Sequence, residues 1–225
     1  MEERKLYGVE FSGFGEHAID FFDGLEADNS KVYWEANKAT YQQDVRAPML
    51  ELLAGLAQEF GDGKVFRPFR DVRFSKDKTP YKTHCGGVVE QGRGGGAYYV
   101  QIGVEGLLVG GGSFAMASDQ LARFRTAVDD DRRGRELVKI LAKLEKSGWE
   151  IRGDRLRTKP RGVDPEHPRI ELLKHRTVYA AKVWPPDDTL HEPGCGERVV
   201  TSWRQLKAFN EWCVEHVGVS EKPWR

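Results

Sequence analysis

Cysteine is scarce in this chain, and the residue patterns that mark common catalytic sites are missing. Its 225 residues include three cysteines, Cys85, Cys195 and Cys213, and no two of them form a CxxC pair. An odd number of dispersed cysteines argues against a disulfide framework and favours the reducing cytoplasm as the compartment. HExxH, GxSxG and a GK[ST] phosphate loop are also absent. No motif therefore assigns a reaction, and we predict neither a metal site nor a cofactor.

Long apolar runs and an excess of charge of one sign are missing as well. No stretch approaches the ~20 apolar residues that a membrane span needs. The N-terminal MEERK is charged and has no apolar core of a signal peptide, so we expect no membrane partner. Lys and Arg total 35, as do Asp and Glu, so the net charge is zero and gives no global indication of nucleic-acid binding.

The zero net charge hides an uneven distribution along the chain. Residues 1–62 carry 13 acidic and 5 basic side chains, a net charge of −8, so residues 63–225 carry +8. Such asymmetry is expected from a polar binding face, or from two packed parts that neutralise each other. The sequence leaves both interpretations open.

Hydrophobic periodicity predicts a helical N-terminal part followed by a part that contains a sheet. Helices are predicted over 11–26, 31–45, 48–60, 119–129, 132–147 and 203–217. Alternating residues predict one hairpin from 97–104 and 107–109, and a second small hairpin from 149–152 and 155–158. The predicted fold class is α+β, with a mainly antiparallel sheet covered by helices. We predict a single domain over 1–225, with the helical part at 1–62 and the sheet-containing part at 63–225.

Positive charge is densest just after the predicted N-terminal helices, where it lies beside aromatic residues. From Lys64 to Lys82 the chain carries seven Lys or Arg side chains against two acids, Asp71 and Asp77. The first half of this stretch, 65–74, is predicted as a strand. The second half is predicted as a polar loop that ends in glycines.

A strand over 65–74 would place Phe66, Arg70 and Phe74 on one largely apolar face. An arginine in an apolar layer needs a partner, because an unpaired buried charge is costly. That partner is either a carboxylate of this protein or an anion from outside. In the first case the segment is an exposed basic strand and loop with an internal ion pair to Asp71 or a more distant acid. In the second case it is an anion-binding site.

Guanidinium, ammonium and hydroxyl groups in one short segment suit a phosphate or carboxylate ligand. The side chains predicted to bind such an anion are Arg67, Arg70, Arg73, Lys76, Lys78, Tyr81 and Lys82. Trp34 and Asn37 join them as candidates, because they lie on a predicted helix that begins at a polar turn. Trp34 or Tyr81 could stack a base if the ligand is a nucleotide or nucleic acid.

A second basic cluster lies between residues 152 and 176, with eight Lys or Arg and four acidic side chains. Its proline and glycine residues predict a rigid loop. Lys159 and Arg161 would help to bind the anion if the two clusters meet around one pocket.

Three residues are candidates for acid–base chemistry, namely Asp71, His84 and His167. Either histidine can equally be a hydrogen-bonded surface residue without a catalytic role. Cys85 adjoins His84, but adjacent residues on a strand face opposite ways, so a nucleophilic Cys–His pair is not indicated.

Several segments resemble a family known as domain of unknown function 2461. The strongest is RDVRFSKDKTPYKTH at 70–84, and three others are similar to further parts of the family: 21–56 to its N-terminal helices, 98–112 to its central hairpin, and 156–176 to its Lys-Pro-Arg-Gly and His-Pro segment. The chain departs from the usual family pattern at Asp28-Asn29, where two asparagines are commoner. The resemblance implies a single α+β domain and supplies no mechanism.

Three functions remain from these observations. The first is a module that binds a phosphate-bearing or other anionic ligand, including a nucleotide or nucleic acid, through the basic strand and loop. The second is an enzyme that acts on a small anionic substrate, with Arg70 and Arg73 holding the anion while Asp71 and a histidine move protons. The third is an interaction module whose basic face docks an acidic partner; the oligomeric state is not predicted.

Overall fold

The computed structural model describes residues 11–91 and 95–222. The charged N-terminus and most of the glycine-rich GRGGG loop at 92–96 lie outside the described residues. The helices are α1 (Ala18–Ala27), α2 (Lys31–Thr40), α3 (Ala47–Phe60), α4 (Ser118–Asp129), α5 (Asp131–Lys146), α6 (Ile170–Leu173) and α7 (Gly194–His216). The strands are β1 (Gly63–Val65), β2 (His84–Glu90), β3 (Ala97–Gly103), β4 (Gly106–Ser113), β5 (Glu150–Arg152) and β6 (Val178–Trp184).

The strands form one six-stranded antiparallel sheet in the order β1-β2-β3-β4-β6-β5. Lys64 of β1 faces Val88 of β2, and Ile151 of β5 faces Ala180 of β6. Helices and an antiparallel sheet in one chain confirm the predicted α+β class. The hairpin predicted on either side of Glu105 is confirmed as β3 and β4.

Contacts group the described residues into two compact units. The first holds 11–89, 99–109 and 183–201, and the second holds 90–91, 95–98, 110–182 and 202–222. The single domain over 1–225 stays a prediction.

In the first unit, helix α3 packs its apolar stripe against the start of the sheet. Leu52, Leu53 and Leu56 are buried at helical spacing, as the periodicity predicts. A Cβ placed on Gly87 would lie 2.9 Å from a Leu53 methyl carbon and 3.1 Å from Met49 Sδ. The lack of a side chain at Gly87 therefore allows this helix to approach β2 closely.

Helices α2 and α3 are joined without a break by a π-helical segment, Tyr41–Arg46. Ser30 caps α2, because its hydroxyl oxygen accepts a hydrogen bond from the backbone N–H of Tyr33 at 3.2 Å. Tyr41 and Val45, on the π-helical segment, are both buried. The helix predicted over 31–45 thus exists, but its last turn has wider geometry than an α-helix.

In the second unit, helix α7 covers the glycines at the end of β4. A Cβ on Gly111 would lie 3.0 Å from a Leu206 methyl carbon, and one on Gly112 would lie 2.7 Å from the Phe209 ring. Gly112 also has a φ of +127°, which disfavours any other residue. The close approach that these glycines permit is therefore used by a helix of the same chain.

Three predicted elements differ from the observed ones. The strand expected over 65–74 ends at Val65, because Pro68 cannot donate to a ladder and the chain leaves the sheet. The small hairpin of 149–152 with 155–158 is wrong: β5 pairs with β6, and Leu156 N donates to Lys174 O at 2.8 Å. The last helix is longer than 203–217, because it begins at Gly194, where glycines obscured its start in the sequence.

Among residues 11–91 and 95–222, no helix combines the length and the apolar character that a bilayer span requires.

Candidate functional site

The densest positive charge of the first unit lies on residues 66–83, which we call the basic arm. The arm connects β1 to β2 and continues their antiparallel pairing beyond the sheet. Phe66 N donates to Gly86 O at 2.9 Å, Lys82 N to Pro68 O at 2.8 Å, and Arg70 N to Pro80 O at 2.8 Å. These bonds define a two-stranded stem that closes in a tip formed by residues 71–79.

Two ion pairs hold the tip of the basic arm. Arg70 donates to the carboxylate of Asp77 and to the hydroxyl of Thr79. Arg73 binds Asp71 with two hydrogen bonds, Nε to Oδ1 at 2.9 Å and Nη2 to Oδ2 at 2.6 Å. Arg70 therefore has a carboxylate of this protein as its partner, although it is Asp77 rather than the neighbouring Asp71.

The same contacts lower the pKa values of both tip carboxylates. Hydrogen bonds from Arg73 lower the pKa of Asp71 to about 2. Hydrogen bonds from Thr79 and Arg70 lower the pKa of Asp77 to about 2. A carboxylate of such low pKa is a weak base at neutral pH, which disfavours the predicted acid–base role of Asp71.

Other cations of the basic arm have no such partner. Neither Arg67 nor Lys76 has a hydrogen-bond or ion-pair partner among residues 11–91 and 95–222, and both are exposed. Lys78 donates to the backbone oxygen of Val72 at 2.9 Å. Lys82 lies 5.1 Å from the centre of the Phe66 ring, and burial, then the charge of Arg67, lower its pKa. With six Lys or Arg and two Asp, the arm has a net charge of +4.

An aromatic cluster fixes the stem of the basic arm against helix α2. The ring of Tyr81 stacks on Trp34 with centroids 4.5 Å apart and an interplanar angle of 8°. Phe69 lies 5.4 Å from Tyr81 and 5.9 Å from Trp34. Trp34 is 3% exposed and Tyr81 is 5% exposed, so these candidate base-stacking residues lie buried against each other.

Asn29 is a second anchor of the stem, and no pattern in the sequence predicted this role. Its side-chain nitrogen donates to Tyr81 O at 3.1 Å, and its side-chain oxygen accepts from Tyr81 N at 3.0 Å. The amide thus pairs with the backbone of Tyr81 as a neighbouring strand would. Asn37, which was a candidate, donates instead to Tyr33 O of its own helix at 2.9 Å.

Three phenylalanines on the basic arm are exposed to solvent. Phe66 is 37% exposed, Phe69 is 48% exposed and Phe74 is 96% exposed. Alternation along a strand had placed Phe66 and Phe74 on an apolar face, but the strand ends before either residue. The sequence signal that could have found them is the repeated adjacency of Phe and Arg at 66–67, 69–70 and 73–74.

His84 lies in a cleft of about 330 Å³ within the first unit, not beside Asp71. The cleft is also lined by Glu26, Thr83, Gln101, Gly103 and Glu105. Burial, and then the charge of Lys82, lower the pKa of His84, so its imidazole is neutral at neutral pH. Gln101 accepts a hydrogen bond from the Tyr99 hydroxyl at 2.7 Å, which leaves its amide nitrogen to donate elsewhere.

Cys85, the neighbour of His84 on β2, is not among the residues that line this cleft. The thiol is buried and lies 3.8 Å from the hydroxyl of Tyr41. Burial raises the pKa of Cys85 to about 11, so the reactive thiolate is scarce at neutral pH.

The second unit holds three of the predicted site residues, on the segment that leads to α6: Lys159, Arg161 and His167. His167 Nδ1 accepts from the backbone N–H of Arg169 at 3.0 Å, and His167 Nε2 lies 3.3 Å from Asp129 Oδ1. Lys159 donates to Val163 O at 2.5 Å, and Arg161 is exposed. The pocket expected between the two basic clusters stays a prediction, because the clusters belong to different units.

Arg169 is the residue of this segment whose role the sequence did not reveal. Its buried guanidinium donates to Val128 O at 2.6 Å and Asp129 O at 2.8 Å, and it pairs with Asp131 at 3.1 Å. These carbonyls belong to the last residues of α4, where cationic donors are favourable. Arg169 and His167 therefore fix the junction of α4 and α5.

No group of three or more His, Cys, Asp or Glu side chains is arranged to hold a metal ion in the described parts of the chain.

The structure thus defines an α+β protein whose sheet carries a basic, aromatic-rich arm between its first two strands. Residues 17–212 match the family model described as conserved hypothetical protein, DUF2461, and the chain belongs to that family. The match covers the basic arm, the cleft beside His84 and the Arg169 junction, and its description names no activity. A search of curated proteins gave no significant match.

Proposed function

We propose that the protein binds a phosphate-bearing ligand through the basic arm. The observation that supports this most directly is the net charge of +4 on an arm where Arg67 and Lys76 have no hydrogen-bond or ion-pair partner among the described residues. Exposed guanidinium and ammonium groups without internal partners are available to phosphate oxygens.

The internal bonds of the basic arm support the proposal, because they reduce the cost of ordering it. Asn29 and Trp34 hold the stem, and the pair of Arg70 with Asp77 holds the tip. A loop that is already ordered loses less conformational entropy when a ligand binds. Arg70 and Arg73, which the sequence predicted as direct ligands of the anion, then act mainly by shaping the arm.

The test removes the unpartnered cations without removing the pairs that shape the arm. We expect the double variant Arg67→Gln/Lys76→Gln to bind pyrophosphate, ATP and oligonucleotides about tenfold more weakly per cation removed. The slope of log affinity against log salt should also fall by about one per cation for oligonucleotides. Isothermal titration calorimetry at low and moderate salt measures both quantities.

The matched control is Lys38→Gln, because Lys38 is an exposed lysine of α2 outside the arm. It should leave affinity and salt slope unchanged. Equal binding by the wild type and the double variant, or no binding of any of the three probes by the wild type, would refute the proposal.

A second candidate function is an enzyme that acts on a small substrate in the cleft beside His84. The observation in its favour is that His84 lines this cleft, has a pKa lowered by burial, and has no side-chain hydrogen-bond partner among the described residues. A thermal-shift assay with a panel of nucleotides and sugar phosphates tests the hypothesis that a small substrate binds in this cleft. A shift that disappears in His84→Gln and persists in the Arg67→Gln/Lys76→Gln variant would favour the cleft; the reverse pattern would exclude it.

The cytoplasmic location stays a prediction.

A further inference from the structure

We infer that the ligand of the basic arm is single-stranded nucleic acid, with its bases stacked on the exposed phenylalanines Phe66, Phe69 and Phe74. This inference rests on the proposed function, because the cations of the arm would hold the phosphates. It replaces Trp34 and Tyr81, whose faces are occupied by each other, as the stacking residues.

Exposure of the three rings is the first observation. A phenylalanine that is 96% exposed, as Phe74 is, gains nothing from the core and is placed where a flat apolar ligand can reach it. Single-stranded nucleic acid supplies such a ligand, because each unpaired base has a π-face.

Alternation of rings and cations is the second observation. Phe66 precedes Arg67, Phe69 precedes Arg70, and Arg73 precedes Phe74. In space, Lys82 lies 5.1 Å from the Phe66 ring and the Arg73 guanidinium 6.0 Å from the Phe74 ring. Proteins that bind single strands combine positive charge for the backbone with aromatic rings for the bases, and the arm carries both on one short segment.

The support behind Phe69 is the third observation. Its ring packs against Tyr81 and Trp34 and remains 48% exposed. A ring held in this way presents a fixed surface, so stacking a base on it costs little side-chain entropy.

The distribution of the rings disfavours a lipid surface as the partner. Phe66 lies at the base of the stem and Phe74 at the tip, whereas a loop that inserts into lipid needs its apolar residues gathered at the tip. The tip also carries the ionised carboxylates of Asp71 and Asp77, which are costly to place in a bilayer. A duplex is disfavoured because its bases are already stacked and paired.

The test measures the affinity of the full chain for a labelled oligothymidine of about 15 nucleotides by fluorescence anisotropy. Phe74→Leu removes the aromatic face and keeps an apolar side chain at a site that makes no core contact. We expect it to weaken binding roughly 5- to 150-fold, as the loss of one stacked base does. Phe74→Trp should restore or exceed the affinity of the wild type.

Val32→Ala is the matched control, because Val32 is 79% exposed on α2 and lies outside the arm. It should leave the affinity unchanged. A duplex of the same length should bind more weakly than the single strand, and vesicles of phosphatidylcholine and phosphatidylserine should not bind.

The outcomes separate this inference from the proposal on which it rests. If Arg67→Gln/Lys76→Gln weakens binding but Phe74→Leu does not, phosphate binding stands and base stacking is refuted. If the oligothymidine does not bind while pyrophosphate does, the inference also fails alone. If vesicles bind and lose that binding in Phe74→Leu, the arm is a membrane-docking element. If no probe binds, both proposals fail.

Discussion

Asn29→Ala should lower the free energy of unfolding of the protein, although Asn29 is only partly buried. The substitution removes two hydrogen bonds, 3.1 Å and 3.0 Å long, that pair the Asn29 amide with the backbone of Tyr81. A lost hydrogen bond costs about 0.5–1.5 kcal/mol, and a donor or acceptor left unpaired in a buried place costs more. Because these bonds are partly buried, we expect a total loss of about 2–3 kcal/mol.

Denaturation by urea, followed by tryptophan fluorescence, measures this loss. For a chain of this size the expected decrease in Tm is about 4–12 °C. The affinity for the probes of the basic arm should fall as well, because the amide anchors the stem that carries the arm.

Asn37→Ala provides the matched control for Asn29→Ala. Asn37 is an asparagine on α2, eight positions from Asn29. Among the described residues its side chain bonds to Tyr33 O, within its own helix, and to no other group. The better helix propensity of alanine offsets that loss, so we expect a change within about 0.5 kcal/mol. Equal stabilities for the two variants would refute the anchoring role of Asn29.

Two further predictions concern packing and pH. A Cβ at Gly86 would lie 2.5 Å from the Tyr99 hydroxyl oxygen. Gly86→Ala should therefore lower the free energy of unfolding by about 1–3 kcal/mol, and by less in a Tyr99→Phe background. Equal losses in the two backgrounds, measured by urea denaturation, would contradict this contact. Burial lowers the pKa values of His84 and His175 below the ordinary value of about 6.5, so the unfolded chain binds more protons and stability should be full above pH 6.5 and fall below it. As the pH is lowered from above 6.5 to below it, the urea midpoint should fall less in the double variant His84→Gln/His175→Gln than in the wild type. An equal dependence of the midpoint on pH in the two proteins would exclude these histidines as the cause.

Local patterns were enough to predict the elements of this fold that have regular periodicity. The apolar spacing of Leu52, Leu53 and Leu56 predicted α3, and the alternation around Glu105 predicted the hairpin of β3 and β4. In both cases the side chains pack on one side of a regular element, so they recur in the sequence at the spacing of that element.

The partners within the basic arm were not predictable, because they depend on the geometry of its tip. Arg70 has two acids nearby in sequence, and the turn brings Asp77 rather than Asp71 to it. Nothing in the charge pattern distinguishes the two. The sequence therefore indicates that Arg70 needs a partner and leaves the identity of that partner open.

The burial of Trp34 and Tyr81 could not be predicted from the sequence for a different reason. The two residues are 47 positions apart, and their stacking requires that the stem of the arm return to helix α2. Conversely, Phe74 was expected on an apolar face because a strand was extended past Pro68. A long-range contact and a proline break decide which aromatic residues reach the solvent, and neither follows from alternation.

The exposed ion pairs at the tip of the basic arm make the arm itself sensitive to ionic strength. Arg73 is 77% exposed and Asp71 45% exposed, so dissolved ions screen their attraction. Added salt therefore loosens the arm at the same time as it competes for the phosphates of a ligand. A plot of affinity against salt would consequently overestimate the number of phosphates that the protein contacts. The contribution of the arm can be separated by repeating the plot with the double variant Asp71→Asn/Arg73→Gln, which removes this pair and leaves the net charge of the arm unchanged.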